Sequence, residues 1–290
     1  MVQALIEMIC DGNRQCGFGH IRRSLALAKT LQQRGHRVRL TLLSPHEFPN
    51  RGDWPHDAGA VDVWLLDLPY PGDHWVAKAR YAGQPVLTLD YSGQLAPDQN
   101  VAIFDHGVLP IHVPQKVGLS YAIIRDEVRA LAPATTGRGV LVCLGGGDLN
   151  GIGMSIAHRL AALGEQVTLI EGPFVPERAI ADTLPFTVLR TPEDLPARMA
   201  ACRWAVTNGG TTMMEMMCLG KPVHVLPQTE AEYRFALHVL NLGGVMGVGQ
   251  ETLVALGTHP RIDTIASHAA RLVDGQGLLR IASEVESLLS

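Results

Sequence analysis

The chain has 290 residues, of which 47% are apolar and 18% charged, with a formal net charge of −4 and a pI near 6.3. That length exceeds most single-core domains and suits two of ordinary size, while the acidic balance excludes a general nucleic-acid or anionic-membrane binder, which needs a clustered positive surplus. No apolar run approaches the ~18 residues of a membrane-spanning helix, and MVQALIEMICDG lacks the basic and long apolar regions of a leader. A cytoplasmic protein without stable membrane insertion is expected. The five cysteines, Cys10, Cys16, Cys143, Cys202 and Cys218, form no CxxC pair and no zinc spacing, so reduced, buried thiols are expected.

In chain order, residues 4–10 (ALIEMIC) form an apolar, β-branched run that ends at Asp11-Gly12-Asn13 and reads as a buried strand. Ile21, Leu25, Ala28 and Leu31 then share one helical face over 21–34, and Gly35 supplies the stop. Strands follow at 36–44, 61–67, 85–90 and 101–104. The small, Pro- and Gly-containing stretch 129–139 reads as a linker. After it the order restarts: a strand at 140–144, a helix at 151–163, and strands at 166–172 and 186–190. A helix at 193–202, a strand at 204–208, a helix at 211–219, a strand at 222–227, a helix at 230–242 and a helical tail at 263–289 complete the chain. Strands alternating with helices imply two parallel-sheet α/β domains, residues 1–130 and 131–290, with ligands at the carboxyl ends of the strands.

Three glycine-rich turns follow predicted strands. Gly17-Phe18-Gly19-His20 opens the first helix; glycines permit close approach to a ligand, helix N–H groups favour an anion, and His20 can exchange a proton near neutral pH. The dinucleotide spacing GxGxxG fails, because position 22 is Arg. A tight turn before a basic helix start explains the same residues. In the second half, Asn208-Gly209-Gly210-Thr211-Thr212 leads into a helix carrying Glu215. Hydroxyls and helix N–H groups there suit a diphosphate and the carboxylate suits a ribose diol; an N-capped helix with a dipole-complementing Glu is the plainer account. Gly145-Gly146-Gly147-Asp148 is either a third such approach or a flexible loop. Asp67 and Asp90 end strands and suit either sugar hydroxyls or loop capping. Asp105, His106 and His112 have no spacing that fixes them on one face, so no metal is expected, and no Walker A or G-x-S-x-G motif occurs.

Asp11 with Gly17-x-Gly19-His20-x-x-Arg23 resembles the start of the UDP-sugar hydrolase family of pseudaminic acid biosynthesis. Gly209-Gly210-Thr211-Thr212-x-x-Glu215 with Leu219-Gly220-Lys221-Pro222 is similar to the same family, and more distantly to the peptidoglycan N-acetylglucosaminyltransferase. Tyr121 to Arg125, Gly145 to Asp148, and Asp274-Gly275-x-Gly277 with Arg280 fit the family's order, so the resemblance covers nearly the whole chain. It implies a GT-B architecture, two Rossmann-like domains facing across a cleft, with a UDP-sugar as substrate, no metal and no cofactor, as monomer or homodimer. Nucleotide contacts fall to Gly145, Gly146, Gly209, Gly210, Thr211, Thr212 and Glu215. His20 would activate water at the anomeric carbon to release UDP, with Tyr70 near the sugar. Asp11, Gly17, Gly19, Arg23, Asp90 and Glu232 fall on the substrate side. The family's paired aspartates are replaced by Leu89-Asp90-Tyr91, and its Asn-Gln pair by Ala231-Glu232. These sugar-facing changes raise the alternative of an inverting GT-B glycosyltransferase with a hydroxyl acceptor, since a base at the same place deprotonates a hydroxyl as well as water. A non-catalytic nucleotide-sugar sensor is the third reading.

Overall fold

The computed structural model describes residues 3–13, 18–45, 59–90, 93, 100–104, 115–134, 137–177, 183–253 and 262–289. Two units result: one of residues 1–123 with 275–290, the other of 124–274.

The first unit is built on a six-stranded sheet of β1 (Leu5–Cys10), β2 (Arg37–Leu42), β3 (Val63–Asp67), β4 (Val86–Leu89), β5 (Asn100–Phe104) and β6 (Gln115–Val117), all parallel, in the order β2-β1-β3-β4-β5-β6. β1 is buried along its whole length because it lies between β2 and β3 and both of its faces are covered. Its alternation divides the core. Ile6 and Met8 join Leu27 and Leu31 of α1 (Gly19–Gln33) on one face. Leu5 and Ile9 join Trp64, Leu66, and Val76 and Ala79 of α2 (Asp73–Tyr81) on the other. α2 is absent from the sequence reading because only Val76 and Ala79 of its nine residues are buried, too few for a periodic signal.

The second unit repeats the plan with β7 (Val140–Cys143), β8 (Val167–Glu171), β9 (Thr187–Arg190), β10 (Trp204–Thr207), β11 (Val223–Val225) and β12 (Gly247–Val248), in the order β12-β11-β10-β7-β8-β9, again parallel. Its helices are α3 (Asp126–Arg129), α4 (Gly153–Ala162), α5 (Leu195–Ala201), α6 (Thr211–Cys218), α7 (Glu230–Asn241) and α8 (Ile262–Leu272). Trp204, Val142, Ile156 and Leu160 centre its core.

The last helix, α9 (Gly277–Ser287), departs from the expected division at residue 130. Sequence patterning assigns it to the second domain, yet Leu278, Ile281 and Val285 lie in the core cluster of β1 and α1, each contributing about 2 kcal/mol of apolar burial. Arg280 Nη1 donates to Ser120 O at 2.7 Å, and Arg34 of the first unit pairs with Glu286. The stretch expected to be the linker is bound to the second unit, with Ala134 N on Leu219 O and Arg138 N on Ala201 O, both at 3.0 Å. Cys10, Cys143, Cys202 and Cys218 are buried; burial, then the charge of Asp67, pushes the Cys10 thiol up to about 12.

Candidate active site

In open parallel sheets, ligands bind where the strand order reverses. In the first unit that point lies between β1 and β3, in the second between β7 and β10. Each glycine-rich turn singled out in the sequence follows one of these strands.

In the first unit Cys10 pairs in register with Asp67, and Asp67 with Leu89, so Asp11, Asp67 and Asp90 line one edge of three adjacent strands. Helical spacing places His20, Arg23 and Ser24 on the face of α1 that meets this edge. Asp67 is fully buried and accepts four hydrogen bonds: Arg23 Nη2 (2.5 Å) and His20 Nδ1 (2.7 Å) on Oδ1, Arg23 Nε (2.8 Å) and Ser24 Oγ (2.9 Å) on Oδ2. Burial raises the Asp67 carboxyl, but the Arg23 guanidinium and His20 outweigh it and hold the group down at about 2. An ionised carboxylate only accepts, which assigns a proton to His20 Nδ1 and leaves Nε2 as the basic nitrogen. The His20 side chain is 22% exposed, so it remains reachable. Arg23 Nη1 reaches Asp90 Oδ2 at 2.5 Å. Tyr70 donates to Asp11 Oδ2 at 2.5 Å, while Gly12 N holds Asp11 Oδ1.

Several expectations change on these contacts. Arg23, expected against substrate, is 6% exposed and bound to Asp67 and Asp90, because a fully buried carboxylate with a partly buried one beside it at a strand edge needs a cation. Tyr70, expected beside His20 in the chemistry, is bound to Asp11. Gly19 opens α1. Gly17, Tyr91, Asp105, His106 and His112 lie outside the described residues. Among the described residues no group of three or more His, Cys, Asp or Glu could hold a metal, and no helix is long and apolar enough to cross a membrane.

In the second unit Gly145, in the turn after β7, has φ +82°, a conformation that favours glycine, and a Cβ there would lie 3.1 Å from the Asn208 amide. The next helix start, α4, is occupied: Asp148 accepts from Ile152 N (2.9 Å) and Gly153 N (2.6 Å). α6 differs. It begins at Thr211 with Gly210 as N-cap and, among the described residues, no side-chain cap. Gly209 packs so close to α7 that a Cβ would fall 2.7 Å from Glu232 O. Glu232, expected on the sugar, holds loops together: Oε1 accepts from Asn208 Nδ2 and Oε2 from Gln228 N, each at 2.7 Å. Gln228 in turn donates to Leu144 O (2.6 Å) and Gly147 O (3.1 Å). Glu215, expected on a ribose, is 5% exposed and forms a forked pair with Arg125, Oε1 to Nε at 2.5 Å and Oε2 to Nη2 at 3.0 Å. Burial works against the Arg125 charge, but Glu215 outweighs it and raises the guanidinium further.

No family model matches the chain, and no curated protein sequence matches it. Solved structures do. MurG of Acinetobacter baumannii superposes with a TM-score of 0.66 at 15% identity, covering 98% of this chain and 99% of that one. The glycosyltransferase SnogD from Streptomyces nogalater gives 0.66 at 15%, covering 99% and 100%. Os79 from O. sativa in complex with UDP gives 0.64 at 11%, covering 97% and 100%. The chain has the GT-B fold. The hydrolase expectation is corrected at this point: similar structures named for an activity, SnogD, SsfS6 and the forosaminyltransferase SpnP, are glycosyl-transferring enzymes. The comparisons thus support the fold that the resemblance implied and do not support its hydrolase reaction.

Sequence reasoning missed Asp67 as the partner of His20, although its place at a strand end was visible. It also missed Ser24, Arg125 and Gln228, whose partners are distant in sequence.

Proposed function

We propose that the protein is an inverting glycosyltransferase that moves a sugar from a nucleotide-sugar donor, of the UDP class, to a hydroxyl acceptor. The observation that carries this reading is the His20–Asp67 pair: the buried carboxylate takes Nδ1–H and leaves Nε2 to accept a proton. The acceptor hydroxyl gives its proton to Nε2 as its oxygen attacks the anomeric carbon. The bond from that carbon to the diphosphate breaks, and the nucleoside diphosphate leaves with the electron pair. Asp67 stabilises the imidazolium without taking its proton. The diphosphate is assigned to the uncapped N-terminus of α6, with the N–H groups at Thr211 and Thr212 and the close-packed Gly209 and Gly210; α4 is the poorer candidate because Asp148 already occupies its N–H groups. Gly145 and Gly146 line the neighbouring turn. A UDP donor is supported by the UDP held in the Os79 structure.

The test is release of UDP from a panel of UDP-sugars with and without hydroxyl acceptors, with products identified by mass spectrometry. Acceptor-dependent release is expected. His20→Ala should lower turnover by about 10²–10⁴-fold while donor affinity by calorimetry stays within about twofold. Equal turnover in the variant would remove His20 from the chemistry.

A further inference from the structure

We propose that Asp90 is a positioning residue: by holding the outer edge of Arg23, it keeps Asp67 Oδ1 available to His20 and completes a charge chain that balances the imidazolium formed in the reaction. This rests on His20 being the base, and replaces the expectation that Asp90 reads the substrate.

One atom is contested. Asp67 Oδ1 receives both Arg23 Nη2 (2.5 Å) and His20 Nδ1 (2.7 Å), and the two donors stand 3.2 Å apart. A guanidinium attracted only to Asp67 would settle on that carboxylate and compete with the imidazole. Asp90 Oδ2 accepts from Nη1 on the far side of the fork at 2.5 Å, so the rigid guanidinium is fixed at both edges and its charge is shared between two carboxylates, which leaves Oδ1 able to accept His20 Nδ1–H beside Nη2. Charge points the same way. Arg23 alone would cancel Asp67; with Asp90 the buried sequence runs negative, positive, negative, and the net negative charge faces the ring that becomes positive. Among the described residues, the other titratable groups here are Asp11, bound to Tyr70, the Cys10 thiol, which burial keeps neutral, and Tyr121, which lines a small cavity with Arg23 and Asp90.

The backbone at Asp90 supports a dedicated role. It has φ +47°, a left-handed conformation that Asp and Asn tolerate better than other non-glycine residues, and its N–H is fixed on Ile103 O at 2.8 Å. Its side chain is 12% exposed, so most of the carboxylate is turned inward to Arg23.

Asp90→Asn is the discriminating variant, since Asn keeps the shape and accepts the same φ while removing the charge. ¹⁵N-edited NMR of the His20 ring, assigned by its loss in His20→Gln, reports which nitrogen carries the proton. The wild type should show the Nδ1–H form; Asp90→Asn should show a mixture, and Asp67→Asn should lose the Nδ1–H form. In steady state kcat should fall about tenfold in Asp90→Asn with KM for donor and acceptor within about twofold. An unchanged His20 ring together with a raised KM and wild-type kcat would make Asp90 a ligand contact and overturn the proposal. Asp90→Gly keeps the positive φ and loses the side chain, so it supplies the same readout if Asp90→Asn does not fold. Failure to find any transfer reaction would sink the glycosyltransferase reading alone, because the NMR arm decides the Asp90 role without substrate.

Discussion

Replacing Asp67 by Asn tests the buried network at its centre. Oδ2 accepts Arg23 Nε and Ser24 Oγ, and Oδ1 accepts Arg23 Nη2 and His20 Nδ1. An amide nitrogen at either position opposes an Arg23 N–H, donor against donor. The Asp67 carboxyl titrates at about 2 rather than 3.8, a difference worth about 2 kcal/mol of folding stability. Because the folded value is depressed, this contribution is complete above the unfolded value and is lost as pH falls from about 4 towards 2. The variant should therefore be about 2–4 kcal/mol less stable than wild type at pH 7. Its deficit should shrink by about 1 kcal/mol at pH 3, where the wild-type carboxyl has lost about half of that contribution. Urea unfolding followed by tryptophan fluorescence, to which Trp64 and Trp75 of the same unit contribute, measures both. A deficit below about 0.5 kcal/mol, or one equal at the two pH values, would refute the claim that Arg23 and His20 hold Asp67 ionised.

Two further changes probe the second unit. Gly209→Ala places a Cβ 2.7 Å from Glu232 O and should push α7 away from the α6 turn, weakening UDP binding by at least about tenfold in calorimetry; wild-type affinity would detach this turn from the nucleotide. Arg125→Ala leaves the buried Glu215 carboxylate unpaired and should cost about 3 kcal/mol in chemical denaturation, with Glu215→Gln in the Arg125→Ala background recovering part of the loss. Absence of recovery would show that the loss comes from packing.

The strands were legible because parallel strands covered on both faces are short apolar runs: ALIEMIC, VLVCL and WAVTN each coincide with a strand to within a residue or two. The helical tail was legible as helix but not as two helices, α8 and α9, nor as belonging to two units, since amphipathic spacing states that a face is buried and not against what. β12 has two residues and β6 three, too short for any periodic signal. In the site, Asp67 was visible as the end of a strand, and His20 and the Asn208–Glu215 segment as helix starts after strands. Their partners were not: His20 and Asp67 are 47 positions apart, and Arg125 and Glu215 are 90 apart.

The sequence by itself determined the two parallel-sheet halves, the glycine-rich turns after their strands and the presence of a histidine at one of them, because these follow from local pattern and chain order. Only the tertiary structure decided what each charged residue does. Arg23, Asp90, Glu215 and Glu232 have the composition of ligand contacts, and the structure pairs them with other parts of the chain: Arg23 with Asp67 and Asp90, Glu215 with Arg125, Glu232 with Asn208 and the Gln228 N–H. A buried charge must find its opposite or a hydrogen bond, and which one it finds depends on strand register and helix facing that no single stretch of sequence contains.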